Sequence, residues 1–124
     1  MYLTKELSRA NLNVGKAIEQ WIGFEEEKNY TVLKWLRIDK EKDNSFSVAY
    51  FEVFDEGNLN FLDIYDFSPL EPEEPYGQIS NYKSVDEALK FAKNEYNTND
   101  DNFVNSGMIQ EEYKKYLFFK LNSQ

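Results

Sequence analysis

The two runs Tyr30–Ile38 (YTVLKWLRI) and Phe46–Phe54 (FSVAYFEVF) decide the fold of this chain. Both are rich in the β-branched and aromatic residues that favour strands, and both have the length of an ordinary strand. The residues between them, 39–45, are all polar, as expected of a connection at the surface. The pattern therefore predicts two antiparallel strands joined as a hairpin.

A third run, Leu59–Phe67 (LNFLDIYDF), follows a short loop and predicts a third strand. Gly57 in that loop can supply the positive φ angle that short hairpin loops usually need. Closing the first hairpin sets Trp35 opposite Ala49, which fixes the expected register of the sheet.

Side chains alternate between the two faces of a sheet, so this register predicts what each face carries. One face is the expected main core and collects Leu33, Trp35, Ala49, Phe51, Val53, Leu62 and Ile64. The other face also carries large apolar side chains, so we expect the C-terminal segment, a second subunit or a partner to cover it. The candidate interface residues on this second face are Tyr50, Glu52, Phe61, Asp63 and Tyr65.

Helices are predicted on either side of these strands. Asn13 is a plausible N-cap for a helix that ends near Gly23, whereas residues 2–12 fit an edge strand, an irregular arm or a first helical turn. Gln78–Tyr82 is a possible short strand. Ser84 and Glu87 have the spacing of a capping box and begin a second helix, and a third runs from Met108 to about Leu121.

These elements predict one α+β domain over residues 1–124. Its antiparallel sheet has three to five strands, with an N-terminal helix and two C-terminal helices packed on it. The order of elements also resembles a cystatin-like arrangement, which is a likeness of fold and carries no function.

All three prolines lie in the segment Ser68–Gly77, together with three glutamates. Proline favours extended backbone, so we expect an exposed, semi-rigid acidic loop. A loop of this length is either functional or a solvated crossover, and the sequence leaves both readings open.

The composition excludes several classes of chemistry. The 124 residues include no cysteine and no histidine, which removes disulfides, thiolate chemistry and the commonest general base and metal ligand. No apolar run is long enough for a membrane span, and the N-terminus does not have the pattern of a signal peptide. We therefore expect a cytoplasmic protein with no membrane partner.

The net charge of −9 is unevenly distributed. Residues 50–112 carry 15 acidic and 3 basic side chains, whereas residues 1–49 are balanced. This acidic part argues against binding to nucleic acid or to an anionic membrane. It favours a basic protein partner, or it serves only to keep the protein soluble.

The sequence contains no glycine-rich phosphate loop, no Ser/His/Asp set and no cluster of metal ligands. It therefore predicts no catalytic, cofactor-binding or metal-binding residues and no cofactor. One pair of carboxylates, Glu52 and Asp63, could do acid–base work if both lined a pocket.

The runs Val14–Gly23 (VGKAIEQWIG) and Tyr50–Gly57 (YFEVFDEG) resemble uncharacterised small acidic proteins of cyanobacteria. The resemblance implies a bacterial, cytoplasmic setting, and it implies no activity and no site residues.

The sequence favours a non-enzymatic protein-binding or regulatory module with an acidic surface. Its partner would be a protein, possibly basic, or a second copy of the chain in a homodimer. The alternative is a small ligand-binding or catalytic domain with a pocket between sheet and helix. A third class is a purely structural homo-oligomer.

Overall fold

The computed structural model describes residues 1–123 and has one antiparallel sheet of five strands, in the order β4-β3-β2-β1-β5. The helices are α1 (Lys5–Asn13), α2 (Val85–Tyr96) and α3 (Ile109–Asn122). The strands are β1 (Ile18–Glu26), β2 (Thr31–Lys40), β3 (Phe46–Phe54), β4 (Gln78–Tyr82) and β5 (Val104–Asn105). An N-terminal helix and two C-terminal helices pack on the sheet, which confirms the predicted α+β fold.

The hairpin of β2 and β3 is present, with a register two residues away from the predicted one. Trp35 pairs with Phe51 instead of Ala49. The difference arises because pairing continues to Lys40 opposite Phe46, which shortens the connecting loop. A shift of two residues leaves every side chain on its predicted face, so the division of these two strands into faces is correct.

The predicted helix from Asn13 to Gly23 is wrong, because α1 ends where that helix was expected to begin. Thr4 caps α1 by accepting a hydrogen bond from the Leu7 amide at 3.1 Å. Gly15 follows the helix with a φ of +84°, a conformation that commonly ends helices. The residues after Gly15 form β1.

A bulge in β1 gives two aromatic residues of this strand a spacing that is also found on a helix. Trp21 pairs with Trp35 and Gly23 pairs with Lys34, so Ile22 is an extra residue in the strand. The bulge puts Trp21 and Phe24, three positions apart, on the same face of the sheet, where both rings pack against Tyr116. A bulged strand can therefore imitate the periodicity of a helix over a few residues.

The predicted third strand, Leu59–Phe67, is also wrong. The segment begins with a tight turn, in which the amides and carbonyls of Asn58 and Phe61 bond to each other, and continues into a 3₁₀ turn over Ile64–Asp66. Asparagine and aspartate are depleted in strands because their side chains bond to nearby backbone. Asn58 does so here by accepting from the Asn60 amide at 2.8 Å.

Gly57 is required for close packing, not for the positive φ that we expected. A Cβ at this position would lie 2.5 Å from the ring of Phe67 and 2.7 Å from the hydroxyl of Tyr113. The loop therefore fits only a residue without a side chain.

Each face of the sheet has its own core, and both are covered by the chain itself. On one face α1 and α2 pack over Leu36, Ile38 and Val48. On the other face α3 and the segment 59–67 pack over Leu33, Trp35 and Val53. The face under α1 and α2 is the second face of the sequence analysis, and at these core positions helices of the same chain cover it instead of a second subunit or a partner.

The predicted elements of the C-terminal half are present. β4 coincides with the predicted fourth strand, and Ser84 caps α2 by accepting from the Glu87 amide at 3.1 Å. The third helix is α3, one residue away from its predicted bounds at each end. Within residues 1–123 no helix has the length and apolar character needed to cross a membrane.

Candidate functional site

The outer edge of β3 is paired by two separate segments. β4 pairs with its first half, from Phe46 to Tyr50. Near its end the Leu70 amide donates to the Glu52 carbonyl at 2.9 Å, and the Phe54 amide donates to the Ser68 carbonyl at 2.9 Å. Residues 71–77 lie between these segments and leave the sheet edge.

This excursion is a pair of consecutive β-turns, which we call the double turn (residues 71–77). The Glu74 amide donates to the Glu71 carbonyl at 2.9 Å, and the Gly77 amide donates to the Glu74 carbonyl at 3.0 Å. Pro72 and Pro75 are the second residues of the two turns, a position that proline favours because its φ is already fixed. The acidic loop predicted here is thus exposed, and its shape is set by turns instead of extended backbone.

Gly77 closes the double turn against β3. Its φ is +83°, and a Cβ there would lie 2.7 Å from the Tyr50 carbonyl oxygen. This position therefore needs glycine for both its backbone conformation and its close approach to the strand.

A cavity of about 320 Å³ lies between the double turn and the sheet. Its floor is Trp35 and Phe51, whose rings stack with centroids 4.2 Å apart and planes 13° from parallel. Tyr65 stands beside them, with its ring nearly perpendicular to Trp35 at a centroid distance of 5.3 Å. Glu71 and Glu74 line the cavity from the double turn. The site therefore combines aromatic rings with carboxylates.

The rings of the cavity differ in their access to solvent. Trp35 is only 2% exposed, whereas Tyr65 is 41% exposed and Tyr76 is 77% exposed. The buried indole N–H of Trp35 has no hydrogen-bond partner in the described part of the chain. Stacking therefore holds Trp35 in place, and a ligand would meet the half-buried Phe51 and the two tyrosines first.

Glu19 is a fully buried carboxylate that fixes one wall of the cavity. Its Oε2 accepts from Arg37 Nη1 at 2.9 Å and from the Tyr65 hydroxyl at 2.6 Å. Its Oε1 accepts from the backbone amides of Gly107 and Ile109 at 2.9 and 3.2 Å. One side chain thus joins β1, β2, the 3₁₀ turn and the start of α3.

Arg37 is a cation at the cavity, but its charge is compensated. Its Nε donates to Asp39 at 2.8 Å, in addition to the bond to Glu19. Burial disfavours the charged guanidinium, yet hydrogen bonds and attraction to Asp39 and Glu19 outweigh it and raise the pKa of Arg37. The remaining charge at the mouth is that of the glutamates of the double turn.

The structure does not bring the five candidate interface residues together on one face. Tyr50 donates to Glu52 at 2.8 Å and stacks on Tyr96 of α2 at 4.1 Å. Both side chains therefore belong to the α2 face of the sheet. The two residues also border the cavity, because the cavity lies against this part of β3.

The other three candidates lie on the α3 side of the sheet, because the segment that carries them is not a strand. Tyr65 lines the cavity. Phe61 packs on Phe67 at 5.6 Å and is 44% exposed. The Asp63 carboxylate lies 3.5 Å from the side-chain nitrogen Nε2 of Gln110 in α3. Glu52 and Asp63 are thus on opposite faces, and they do not form the carboxylate pair that acid–base chemistry would need.

Two parts of this site escaped the sequence analysis. Glu19 was placed within a predicted helix, although a carboxylate among the apolar residues of IEQWIG is unusual for a strand and could have marked a buried network. The double turn could have been identified from the sequence EPEEPYG, in which each proline is the second residue of a turn and a glycine ends the second turn.

Within residues 1–123 no group of three or more histidine, cysteine, aspartate or glutamate side chains is arranged to hold a metal ion. The chain matches no protein-family model, no curated protein and no solved structure. The resemblance to cyanobacterial proteins stays a prediction.

Proposed function

We propose that this chain is a non-enzymatic binding module that recognises a positively charged segment of a partner protein. The observation that carries the proposal is the cavity itself, with stacked aromatic rings at its floor and an acidic double turn at its mouth. Aromatic side chains supply contact area at a binding site, and carboxylates select the charge of the partner.

The distribution of charge supports this proposal. Glu71, Glu73 and Glu74 are exposed in the double turn, within the part of the chain that has 15 acidic and 3 basic side chains. A local excess of one charge attracts an oppositely charged partner and speeds its association.

Two carboxylates close to the cavity, those of Glu19 and Glu52, have partners that explain them without catalysis. Glu19 accepts four hydrogen bonds and Glu52 accepts one from Tyr50. A general acid or base needs to reach a substrate proton, and these groups are engaged elsewhere. The alternative of a small-molecule site stays open, since the cavity volume is at the lower end of the range for ligand pockets, about 300–1,000 Å³.

The association with a lysine- and arginine-rich peptide tests the proposal. We expect the association rate to fall steeply between low salt and about 0.15 M, where the screening length drops to about 8 Å. Changing Glu71, Glu73 and Glu74 together to glutamine should lower the affinity about tenfold. A matched control changes the exposed Glu6, Glu27 and Glu95 to glutamine and should lower it less than twofold. Equal effects of the two triple variants would contradict the proposed site.

Self-association is a second candidate, favoured by a separate observation on β4. Edge strands of natural proteins usually carry charges or proline that prevent pairing with another chain. The five residues of β4, QISNY, include neither, and Ile79 is 55% exposed. Two copies paired antiparallel through β4 would bring Lys83 of each copy beside the acidic double turn of the other.

Sedimentation over a range of protein concentrations tests this homodimer. The wild-type chain should associate, and Ile79→Lys should shift the equilibrium towards monomer without changing the unfolding transition. The matched control is Met108→Lys, which places the same charge at an exposed position away from β4. A wild-type chain that sediments as a monomer at every concentration would rule out pairing through β4.

A further inference from the structure

The size of the cavity limits what it can receive. Its volume of about 320 Å³ is near the lower limit for ligand sites, about 300 Å³, so it has room for one group of the size of a side chain. A partner segment would therefore insert a single residue while the rest of it stays at the surface.

The aromatic rings favour a cation over a neutral group. The face of an aromatic ring is electronegative and attracts a positive charge within about 6 Å. Phe51 is backed by the parallel ring of Trp35, and Tyr65 stands at the side with nearly perpendicular geometry. The face of Phe51 that Trp35 does not cover is available to a flat cation, and Tyr65 lines the same cavity.

The charges around the cavity favour a cation as well. Glu71 and Glu74 line it, and the two hydrogen bonds of the double turn fix the backbone from which their side chains extend. Arg37 could attract an anion, but Asp39 and Glu19 already hold its guanidinium. To bind Arg37, an anionic ligand would have to compete with these two carboxylates. It would also have to pass Glu71 and Glu74.

We infer that the cavity receives one arginine side chain of the partner segment, an inference that rests on the proposed function. Arginine is planar, is less strongly hydrated than lysine, stacks on aromatic faces and can bond to a carboxylate through two N–H groups. Stacked rings at the floor and glutamates at the mouth meet these properties of arginine better than those of the compact, strongly hydrated lysine ammonium.

Three blocked amino acids test the inference in NMR titrations of the whole chain. The probes are the N-acetyl methylamides of arginine, lysine and citrulline, the last being a neutral analogue of arginine. We expect arginine to bind about fivefold more tightly than lysine and at least about tenfold more tightly than citrulline, with shifts at the Phe51 and Gly77 amides. Citrulline that binds as well as arginine would overturn the inference.

Two variants locate the binding. Phe51→Leu should weaken arginine binding about tenfold, while Phe61→Leu, a matched change of a ring outside the cavity, should change it less than twofold. Tyr76→Ala should weaken binding about threefold and does not put folding at risk, because Tyr76 is 77% exposed. Arginine binding that neither Phe51→Leu nor Tyr76→Ala alters would overturn the assignment to this cavity.

The outcomes separate this inference from the proposed function. If the basic peptide binds with the expected dependence on salt and on the double turn, yet Phe51→Leu has no effect on it, the function stands and the arginine pocket is wrong. If the peptide does not bind at all, both are wrong. If free arginine binds more tightly than its blocked form, the ligand is an amino acid. That result would overturn the inference that the arginine belongs to a partner segment.

Discussion

Replacing Glu19 by alanine is expected to lower the free energy of unfolding by about 3–5 kcal/mol. The carboxylate is completely buried and accepts hydrogen bonds from Arg37, from Tyr65 and from two backbone amides at the start of α3. Its loss leaves the Tyr65 hydroxyl and the buried Ile109 amide without their acceptor, and a buried unpaired donor is costly. Arg37 loses one of its two carboxylate partners and keeps Asp39. Denaturant unfolding of the purified variant measures the effect.

Glu25→Ala is the matched control, because Glu25 lies on the same strand. Its side chain is 57% exposed and pairs with Lys34 at the surface, so the loss should be below about 1 kcal/mol. Similar losses of unfolding free energy in the two variants would show that the buried network of Glu19 stabilises the fold no more than the surface ion pair of Glu25.

Glu19→Ala should also weaken binding at the cavity. Glu19 accepts from the Tyr65 hydroxyl at 2.6 Å, and Tyr65 forms one side of the cavity beside Trp35. The network therefore links the stability of the fold to the shape of the proposed site, through a residue that touches no ligand itself.

The strands at the centre of the sheet could be predicted from the sequence because their local preferences agree with the fold. β2 and β3 are rich in β-branched and aromatic residues. Successive side chains point to opposite faces of a strand, so even a register error of two residues left their faces correct. The capping pattern that begins α2 is equally local, since Ser84 and Glu87 interact across a single helical turn.

The prediction of secondary structure failed in β1 and in Leu59–Phe67. Ile22 is the extra residue of the bulge in β1, and it places Trp21 and Phe24, three positions apart, on one face, as a helix would. Ile18 and Ile22 face the opposite core, so apolar residues on both faces of the strand add to the resemblance to a helix. In Leu59–Phe67 the aromatic residues suggested a strand, while Asp63, Asp66 and the preceding Asn58 favour turns. Packing against the rest of the chain decides between such competing preferences. A short stretch of sequence does not show that packing.

The cavity could not be predicted because its parts are distant in the chain. Glu19 and Tyr65 are 46 residues apart, and the double turn reaches the stacked rings only because residues 68–70 pair with the end of β3. The prolines and glutamates of the loop were visible in the sequence, but the surface that they face was not.

Replacing Tyr113 by alanine should lower the free energy of unfolding by about 3–5 kcal/mol, as is usual for a large buried ring. Tyr113 is a fully buried residue of α3, and its ring packs edge-on against Phe67 at 5.3 Å. Its hydroxyl also donates to Asp55 at 2.5 Å, which ties the helix to the loop after β3. The matched control is Phe118→Ala on the same helix, where a 46% exposed ring should cost less than about 1 kcal/mol.

Tyr113→Phe removes the hydroxyl and keeps the ring. The pH dependence of its stability therefore shows what the hydroxyl contributes. Burial, and then the hydrogen bond to Asp55, raise the pKa of Tyr113 above its ordinary value of 10.0, and burial raises the pKa of the neighbouring Tyr116 to about 12. The folded state thus keeps these phenols protonated at a pH where the unfolded chain loses the protons. The stability that they contribute is fully present below pH 10 and is lost as the pH rises above it.

The wild-type chain should therefore lose stability between about pH 10 and pH 12, and Tyr113→Phe should make that loss smaller while lowering stability at neutral pH by about 1–2 kcal/mol. Denaturant unfolding at a series of pH values measures both effects. An identical alkaline slope in the wild type and in Tyr113→Phe would mean that the Tyr113 hydroxyl ionises as easily in the folded chain as in the unfolded one, contrary to its burial beside Asp55.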